Sequence, residues 1–352
     1  MRTRCDGGSC TEHKLRYVSS GREGDSSFAD ALYRLVGDVH IRLPAIWIFT
    51  HGHSSMRRLC LLVFAFAALT APLTAQRPLK VYISVDMEGI AGVVTADQLT
   101  PTGFEYQRAR EFMTGEALAA IAGARDAGAT QIIVSDSHGN GENLLIDKFP
   151  ADITIIRSWP RPLMMMQGID STFDAAIFIG YHASTTNPAG VRAHTISSAH
   201  LASVELNGTA MPESGINAAI AGYFGVPVVA ISGDNAAVSE AQTLIGNMEG
   251  AVVKQAISFH AAATMTPEAA QLLVRQKVKA GVQRRSSLRP YAMRAPVRLD
   301  VVFKNYTPAE MLTYLPYVQR TSSHGIRFEG RDILQVSRFL EFINTYNPDM
   351  TP

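Results

Sequence analysis

Carboxylates and imidazoles follow three short apolar segments of the chain. Asp86 and Glu88 come after the first segment, His138 follows the second and His182 follows the third. Two carboxylates held close together repel each other and raise each other's pKa, and a divalent cation removes that penalty. Carboxylate oxygens together with imidazole nitrogens suit zinc better than magnesium. The residue types therefore predict a metal site, provided that the fold brings these side chains together.

The apolar segments are rich in β-branched residues, and helical patterns separate them. Strands that are apolar throughout and alternate with helices indicate a mostly parallel sheet covered on both faces. Such sheets bind ligands beyond the carboxyl ends of their strands. Residues two apart in an extended segment point to the same side, so Asp86 and Glu88 are expected to converge on one cation. The predicted fold class is α/β, a mostly parallel sheet flanked by helices, with strands at 79–85, 131–134, 174–180 and 226–231 and helices at 104–127 and 213–224.

The pattern of predicted strands and helices changes in the last third of the sequence. A helix capped by Thr266, an alternating strand over residues 297–303 and a closing helix over residues 331–346 are predicted there. We therefore expect an α/β metal-binding catalytic domain over residues 77–262 and a smaller C-terminal α+β portion over residues 263–352.

Glu213 and His194 are further candidates for the site. Glu213 begins a predicted helix, where the helix dipole favours a carboxylate in any case. His194 lies on a predicted loop, and an ordinary imidazole pKa of about 6.5 allows a histidine to act as acid and as base. Asp136 and Asp234 also follow strands, but a capping or turn-forming role accounts for them equally well or better.

The composition is that of a folded protein without the charge of a nucleic-acid binder. Hydrophobic residues make up 47% and charged residues 18% of the 352 residues, and 32 Lys and Arg balance 31 Asp and Glu. The three cysteines are Cys5, Cys10 and Cys60, and all of them precede the first predicted strand. A metal site after that point must therefore use oxygen and nitrogen ligands.

A secretory signal peptide is predicted over residues 56–75. Two arginines follow Met56, residues 59–69 are apolar, and Ala75 precedes the expected cleavage point. The apolar run falls short of the roughly 20 residues that a membrane span needs, and a buried core helix or retained anchor is the alternative. We expect an exported protein, periplasmic or extracellular and without a stable membrane span, and we expect residues 1–55 to be a non-native or disordered extension.

The residues around the predicted strand ends resemble those of a known family, the M55 peptidases, which are zinc-dependent D-aminopeptidases. The segment Ser84-Val85-Asp86-Met87-Glu88-Gly89 is similar to the S-x-D-x-E-G signature of that family. The similarity covers about residues 79–345 and continues through Ser135-Asp136-Ser137-His138, Gly180-Tyr181-His182-Ala183, Gly190-Val191 with His194, Glu213 with Gly215 and Asn217, and Val253-Lys254-Gln255.

The resemblance implies five ligands for two zinc ions. It makes Asp86 the bridging carboxylate, assigns Glu88 and His182 to one ion, and assigns His138 and Glu213 to the other.

The resemblance also implies an activity. His194 corresponds to the catalytic residue of the family. The implied reaction is the hydrolysis of short peptides with D-amino acids, such as D-alanine, at the N-terminus, by a water that two metal ions activate. The free amino terminus of the substrate would be bound by a cleft carboxylate or by a zinc ion. The family further implies a homo-oligomer, a decamer that encloses a chamber.

Two other functions share some of these sequence features. A metallophosphoesterase requires an Asp-x-His on its first strand, whereas this chain has Asp86-Met87-Glu88 there. An exported peptide- or metal-binding protein fits a predicted signal and an α/β fold. Five candidate ligands together with His194 exceed what binding alone requires, so a peptidase is the favoured prediction.

Overall fold

A seven-stranded sheet forms the centre of the computed structural model, which describes residues 77–347. The predicted signal peptide (56–75) and extension (1–55) lie outside the described residues. The strands in chain order are β1 (Leu79–Val85), β2 (Ala129–Asp136), β3 (Thr154–Ile156), β4 (Ala175–Tyr181), β5 (Leu201–Leu206), β6 (Thr209–Ala210), β7 (Val228–Asp234), β8 (Glu249–Ser258), β9 (Ala261–Thr264), β10 (Val297–Phe303), β11 (Val318–Arg320) and β12 (Gly325–Gly330). The α-helices are α1 (Tyr106–Asp126), α2 (Glu213–Tyr223), α3 (Asn235–Ile245), α4 (Pro267–Gln283), α5 (Tyr306–Leu312) and α6 (Ile333–Thr345).

The central sheet has the strand order β3-β2-β1-β4-β7-β8-β9. Neighbouring strands are parallel except for the pair β8 and β9, which is antiparallel. Strand β1 therefore lies between β2 and β4, and the three strands end at the same edge. The predicted α/β class with a mostly parallel sheet is confirmed.

Both faces of the sheet are covered, which explains why its strands are apolar throughout. Val81 and Ile83 of β1 pack in a core with residues of α1 and α4. Tyr82, which points to the opposite face, packs in a second core that includes residues of α2, α6 and β10. A strand that is buried on both sides carries apolar residues on both of its faces.

A second sheet, with the order β11-β12-β10-β5-β6, is antiparallel. Its β5–β6 hairpin turns through Asn207 (φ 52°) and Gly208 (φ 84°), and two positive φ values are what a tight two-residue hairpin turn requires. Strands β5 and β6 precede residue 262 and β10 to β12 follow it. The second sheet thus takes strands from both sides of the predicted domain boundary.

The C-terminal helix α6 reaches back to the central sheet. The Asp332 carboxylate caps it by accepting a hydrogen bond of 2.8 Å from the Gln335 amide. Ser337 donates to the carbonyl of Pro162 at 2.9 Å, so α6 is tied to the segment that follows β3. Within residues 77–347, the helices lack the combination of length and apolar character that crossing a membrane requires.

Candidate metal centre

Backbone hydrogen bonds hold the carboxyl ends of the three adjacent strands together. The Asp86 amide donates to the Ile179 carbonyl at 2.8 Å, and the Ser137 amide donates to the Val85 carbonyl at 2.8 Å. The parallel ladder therefore continues past the strand ends into the loops that carry the acidic and histidine residues. The prediction that these residues meet at one sheet edge is confirmed.

Two glycines allow the loop after β1 to touch the end of β4. The Gly89 amide donates to the Gly180 carbonyl at 2.7 Å. A Cβ atom on Gly89 would lie 2.1 Å from the Tyr181 carbonyl oxygen, and one on Gly180 (φ +71°) would lie 2.2 Å from the Asp86 carbonyl oxygen. The expectation of an extended segment through Glu88 is wrong, because the chain turns at this point. The two acidic side chains nevertheless converge.

The first cluster at this edge contains Asp86, Glu88 and His138. Nδ1 of His138 lies 2.9 Å from Oε2 of Glu88 and 3.3 Å from Oδ1 of Asp86. Nε2 of His138 lies 2.8 Å from the Leu99 carbonyl oxygen. A carbonyl oxygen only accepts, so Nε2 carries the hydrogen and Nδ1 is the atom that faces a ligand.

The second cluster contains His182, His194 and Glu213. Nε2 of His182 lies 3.4 Å from Oε2 of Glu213, and Nε2 of His194 lies 3.7 Å from Oε1. The two imidazole rings stack with centroids 4.0 Å apart. Each ring donates its Nδ1 hydrogen to a backbone carbonyl, that of Ala183 for His182 (3.0 Å) and that of Arg192 for His194 (2.9 Å).

Asp86 connects the two clusters, since its Oδ2 atom lies 3.3 Å from Nε2 of His182. Both of these atoms are buried and make no hydrogen bond within the described part of the chain. A buried carboxylate oxygen facing a buried imidazole nitrogen without a hydrogen bond is costly in a protein interior. A metal ion between the two atoms would satisfy both of them. The donor set therefore fits a pair of metal ions.

The shortest contacts at the site join other pairs of side chains than those that the resemblance assigned to each zinc ion. That assignment placed Glu88 with His182 and His138 with Glu213. In the structure Glu88 lies with His138, because the turn after β1 directs the Glu88 side chain towards the end of β2. Glu213 lies with His182, because α2 begins beside the end of β4. The ligand atoms of each three-residue cluster lie within 4.8 Å of one another.

The electrostatics of the site favour positive charge. Burial would lower the pKa of the His138 imidazole, but the Glu88 and Asp86 carboxylates hold that pKa well above its ordinary value. The Glu213 and Asp86 carboxylates likewise overcome burial and raise the pKa of His182. Burial and the nearby Glu88 carboxylate raise the pKa of Asp86. Three crowded carboxylates thus stabilise any cation that enters the site.

The loop that carries His194 has unusual backbone geometry. Arg192 and Ile196 have φ values of 53° and 65°, and a positive φ is a sterically disfavoured conformation for a β-branched residue such as Ile196. The conformation directs the Ile196 amide onto Oε1 of Glu213 at 2.7 Å. The His194 side chain is 14% exposed, against 8% for His138 and 1% for His182. Of the three imidazoles, His194 is therefore the one nearest to solvent.

Two buried charged residues support the loop that carries Glu88. The Lys254 ammonium donates hydrogen bonds to three carbonyls of that loop, those of Glu88, Ile90 and Val93. The Glu116 carboxylate accepts from the Ala91 amide at 2.8 Å. Burial lowers the pKa of Lys254 to about 8 and raises the pKa of Glu116 to about 7. Lys254 lies within a segment that resembles the family, whereas no pattern in the sequence indicates a role for Glu116.

Asp136 and Asp234 have structural roles, as the alternative interpretation held. The Asp136 carboxylate accepts from the amides of Asn143 and Leu144 at 2.6 and 2.7 Å. Asp234 caps α3 by accepting from the Ala237 amide and also accepts from the Val191 amide, each at 2.8 Å. Both aspartates shape loops near the site.

Three carboxylates and three imidazoles at the carboxyl edge of a mostly parallel sheet define the class of a binuclear metallohydrolase. Comparison with known proteins gives the family. The family model of peptidase M55, described as D-aminopeptidase, matches residues 79–342, and the chain belongs to that family. The predicted resemblance is confirmed.

One relative and one solved structure illustrate the similarity. A D-aminopeptidase of Bacillus subtilis (strain 168) is 34% identical over 258 residues, which cover 73% of this chain and 93% of that protein. The solved structure of the Zn-dependent D-aminopeptidase DppA from Bacillus subtilis, described as a self-compartmentalizing protease, has 32% identity and a TM-score of 0.72. The match covers 77% of this chain and 100% of that one.

Proposed function

We propose that the protein is a zinc-dependent aminopeptidase that hydrolyses short peptides with D-amino acids, such as D-alanine, at the N-terminus. The observation that carries this proposal is the pair of carboxylate–imidazole clusters joined by Asp86. They lie within the span matched by the D-aminopeptidase family model. The similarity to a D-aminopeptidase and to a Zn-dependent D-aminopeptidase of Bacillus subtilis supports the substrate class and the metal.

Two zinc ions fit the donor atoms. Asp86, Glu88 and His138 would hold one ion, His182 and Glu213 would hold the other, and Asp86 would contribute to both. Bound there, a pair of divalent ions would lower the pKa of water and polarise the scissile carbonyl.

His194 is the proposed acid and base. Its Nδ1 hydrogen is engaged by the Arg192 carbonyl, so Nε2 of the neutral ring has a free lone pair. Nε2 takes a proton from the attacking water and delivers it to the departing amine nitrogen. Glu213, whose Oε1 atom lies 3.7 Å from this nitrogen, orients the ring and stabilises its protonated form.

The proposal is tested with the zinc-loaded protein and a D-alanyl dipeptide. We expect release of D-alanine, loss of that release after chelation and its return when zinc is restored. Release of phosphate from phosphoesters would favour the metallophosphoesterase alternative. Tight peptide binding without turnover would favour the binding-protein alternative.

The role of His194 is tested separately. The His194→Ala variant is expected to bind two zinc ions and to lose turnover by a factor of about 10² or more, the contribution typical of general acid–base catalysis. His200→Ala, at an exposed position of the same loop region, is the matched control and should retain activity. Unchanged turnover in His194→Ala would contradict the assignment.

We also propose that the chain assembles into a homo-oligomer, a decamer with an inner chamber, and is exported. The similarity to a structure described as self-compartmentalizing supports assembly, and the sequence over residues 56–75 supports export. Light scattering of the purified protein measures the first property. Mass spectrometry of the protein made in its own cells measures the second, and a mature chain that retains residue 1 would contradict the proposed signal peptide.

A further inference from the structure

A cavity of about 390 Å³ lies beside the metal centre. Glu213 lines it on one side, and Ser137 and Gly139, which flank His138 in the sequence, line it as well. Helix α6 contributes Glu341, Asn344 and Thr345 to the lining. The volume falls in the range of small-molecule sites, about 300–1,000 Å³, and the cavity shares Glu213 with the metal centre. A substrate can therefore occupy the cavity and reach the reacting groups.

Polar and apolar side chains line the cavity together, and Glu341 is a second carboxylate there besides Glu213. Met164, Met165 and Ile196 line the cavity together with Trp159. Glu341 lies among them with 7% of its surface exposed. Apolar walls combined with a few polar or charged groups are the usual form of a site that orients a small ligand.

The Glu341 carboxylate makes no salt bridge within residues 77–347, although the charge of the nearby Arg161 guanidinium acts on it. Its Oε1 atom accepts a hydrogen bond of 3.0 Å from the Arg161 amide and one of 3.3 Å from the Thr345 hydroxyl. Within residues 77–347, Oε2 makes no hydrogen bond, and no Lys, Arg or His nitrogen lies within the 4.0 Å that defines a salt bridge. The Arg161 guanidinium is engaged by Ser135 and by the carbonyls of Asp136 and Ser158.

Burial raises the pKa of Glu341, and a cationic ligand group in the cavity would favour the charged form of its carboxylate. Every substrate of the proposed aminopeptidase carries a cationic group, the ammonium at its N-terminus. That ammonium offers three donors, and a hydrogen bond between charged groups is about twice as strong as one between neutral groups.

We propose that Glu341 binds the N-terminal ammonium of the peptide substrate, while Met164, Met165 and Trp159 enclose the first side chain. This inference rests on the proposed function and assigns amine recognition to a cleft carboxylate rather than to a metal ion. It also makes α6, the last helix within residues 77–347, part of the substrate site. A substrate with an acylated amine would lose this contact and would leave the carboxylate buried and unpaired.

The conservative variant Glu341→Gln separates charge from structure. A glutamine keeps the oxygen that accepts from the Arg161 amide, so only the negative charge is removed. We expect the KM for a D-alanyl dipeptide to rise tenfold or more, with kcat changed by less than about threefold, because the lost contact acts on substrate binding. Zinc content should stay the same. Glu329→Gln, at an exposed position of β12, is the matched control and should leave both constants unchanged.

A second substrate and a second variant complete the experiment. The wild-type enzyme should prefer the free amine over its N-acetylated form, and Glu341→Gln should lose most of that preference. Glu341→Asp keeps the charge on a shorter side chain and should restore part of the affinity.

The outcomes distinguish the inference from the proposed function. If the wild-type enzyme cleaves the dipeptide and Glu341→Gln has an unchanged KM, the role of Glu341 is refuted and the function stands. If kcat or zinc content falls while KM is unchanged, Glu341 is structural and the inference is again overturned. If the zinc-loaded wild-type protein cleaves neither D- nor L-aminoacyl peptides, the proposed function itself fails.

Discussion

Replacing Lys254 by methionine should weaken metal binding without touching a metal ligand. The Lys254 side chain is 2% exposed, and its ammonium is bound by the carbonyls of Glu88, Ile90 and Val93. Methionine has a similar length and apolar stem, so the packing around the stem is kept. The variant removes the three hydrogen bonds that fix the loop carrying Glu88.

The expected loss of stability in Lys254→Met follows from two opposing effects of a buried charge. Each hydrogen bond to a charged group contributes about 1.5–3 kcal/mol, and removal of the ammonium recovers several kcal/mol of desolvation. The balance is unfavourable, because the carbonyls are left without donors and the nearby Glu116 carboxylate loses a stabilising cation. Breaking a buried charge network by removing one partner typically costs about 3–5 kcal/mol. We expect the free energy of unfolding of Lys254→Met to fall by that amount.

Metal titration separates this loop effect from general instability. The loss of a supporting interaction around a metal ligand lowers metal affinity by about 10–100-fold. We expect that loss for the Asp86–Glu88–His138 cluster and a much smaller change for the cluster that contains His182 and Glu213. Calorimetric titration of the metal-free variant with zinc, performed well below its unfolding temperature, resolves the two sites.

The matched control is Lys279→Met, at an exposed position of α4. It should change neither stability nor zinc affinity by more than a surface substitution does, about 0.5 kcal/mol. If Lys254→Met binds both zinc ions with wild-type affinity and unfolds like the wild type, the loop does not depend on Lys254 and the reasoning is refuted.

Three further predictions concern residues near the site. Glu116 has its pKa raised from 4.5 to about 7 by burial, so the folded state holds a proton that the unfolded chain has released. The wild type should therefore lose up to about 3 kcal/mol of unfolding free energy between pH 4.5 and pH 7, and Glu116→Gln should lack this loss in denaturant titrations at the two pH values. Gly89→Ala should destabilise the fold by more than about 3 kcal/mol, because its Cβ would lie 2.1 Å from a backbone oxygen. The control Gly128→Ala, whose Cβ meets nothing within 4 Å, should cost about 1–2 kcal/mol. Similar thermal unfolding of the two variants would contradict the close approach at Gly89. Asp86→Ala should weaken both zinc sites, and Glu88→Ala only one, as measured by metal content after dialysis.

The position of the site could be predicted from the sequence because it depends on the sheet. Apolar β-branched strands that alternate with helices specify a parallel sheet, and the carboxyl ends of its neighbouring strands must meet at one edge. Asp86, His138 and His182 follow β1, β2 and β4, which are adjacent. Their convergence therefore needs no information beyond the order of the strands.

The pairing of the side chains could not be predicted in the same way. The turn after β1 depends on the contact between Gly89 and the end of β4, and this turn directs Glu88 towards His138. The supporting residues come from distant parts of the chain. Lys254 lies 166 residues from the carbonyl of Glu88, and Glu341 lies 180 residues from the Arg161 amide. Local patterns carry no signal for such contacts, and Glu341 belongs to an ordinary amphipathic helix.

The central claim is that two adjacent clusters, joined by Asp86, hold two metal ions. Anomalous diffraction at the zinc edge from crystals of the purified protein tests it directly. We expect two zinc peaks per chain, one at about 2.0–2.2 Å from the ligand atoms of Asp86, Glu88 and His138 and the other at that distance from Asp86, His182 and Glu213. A single peak, or zinc bound away from these side chains, would contradict it.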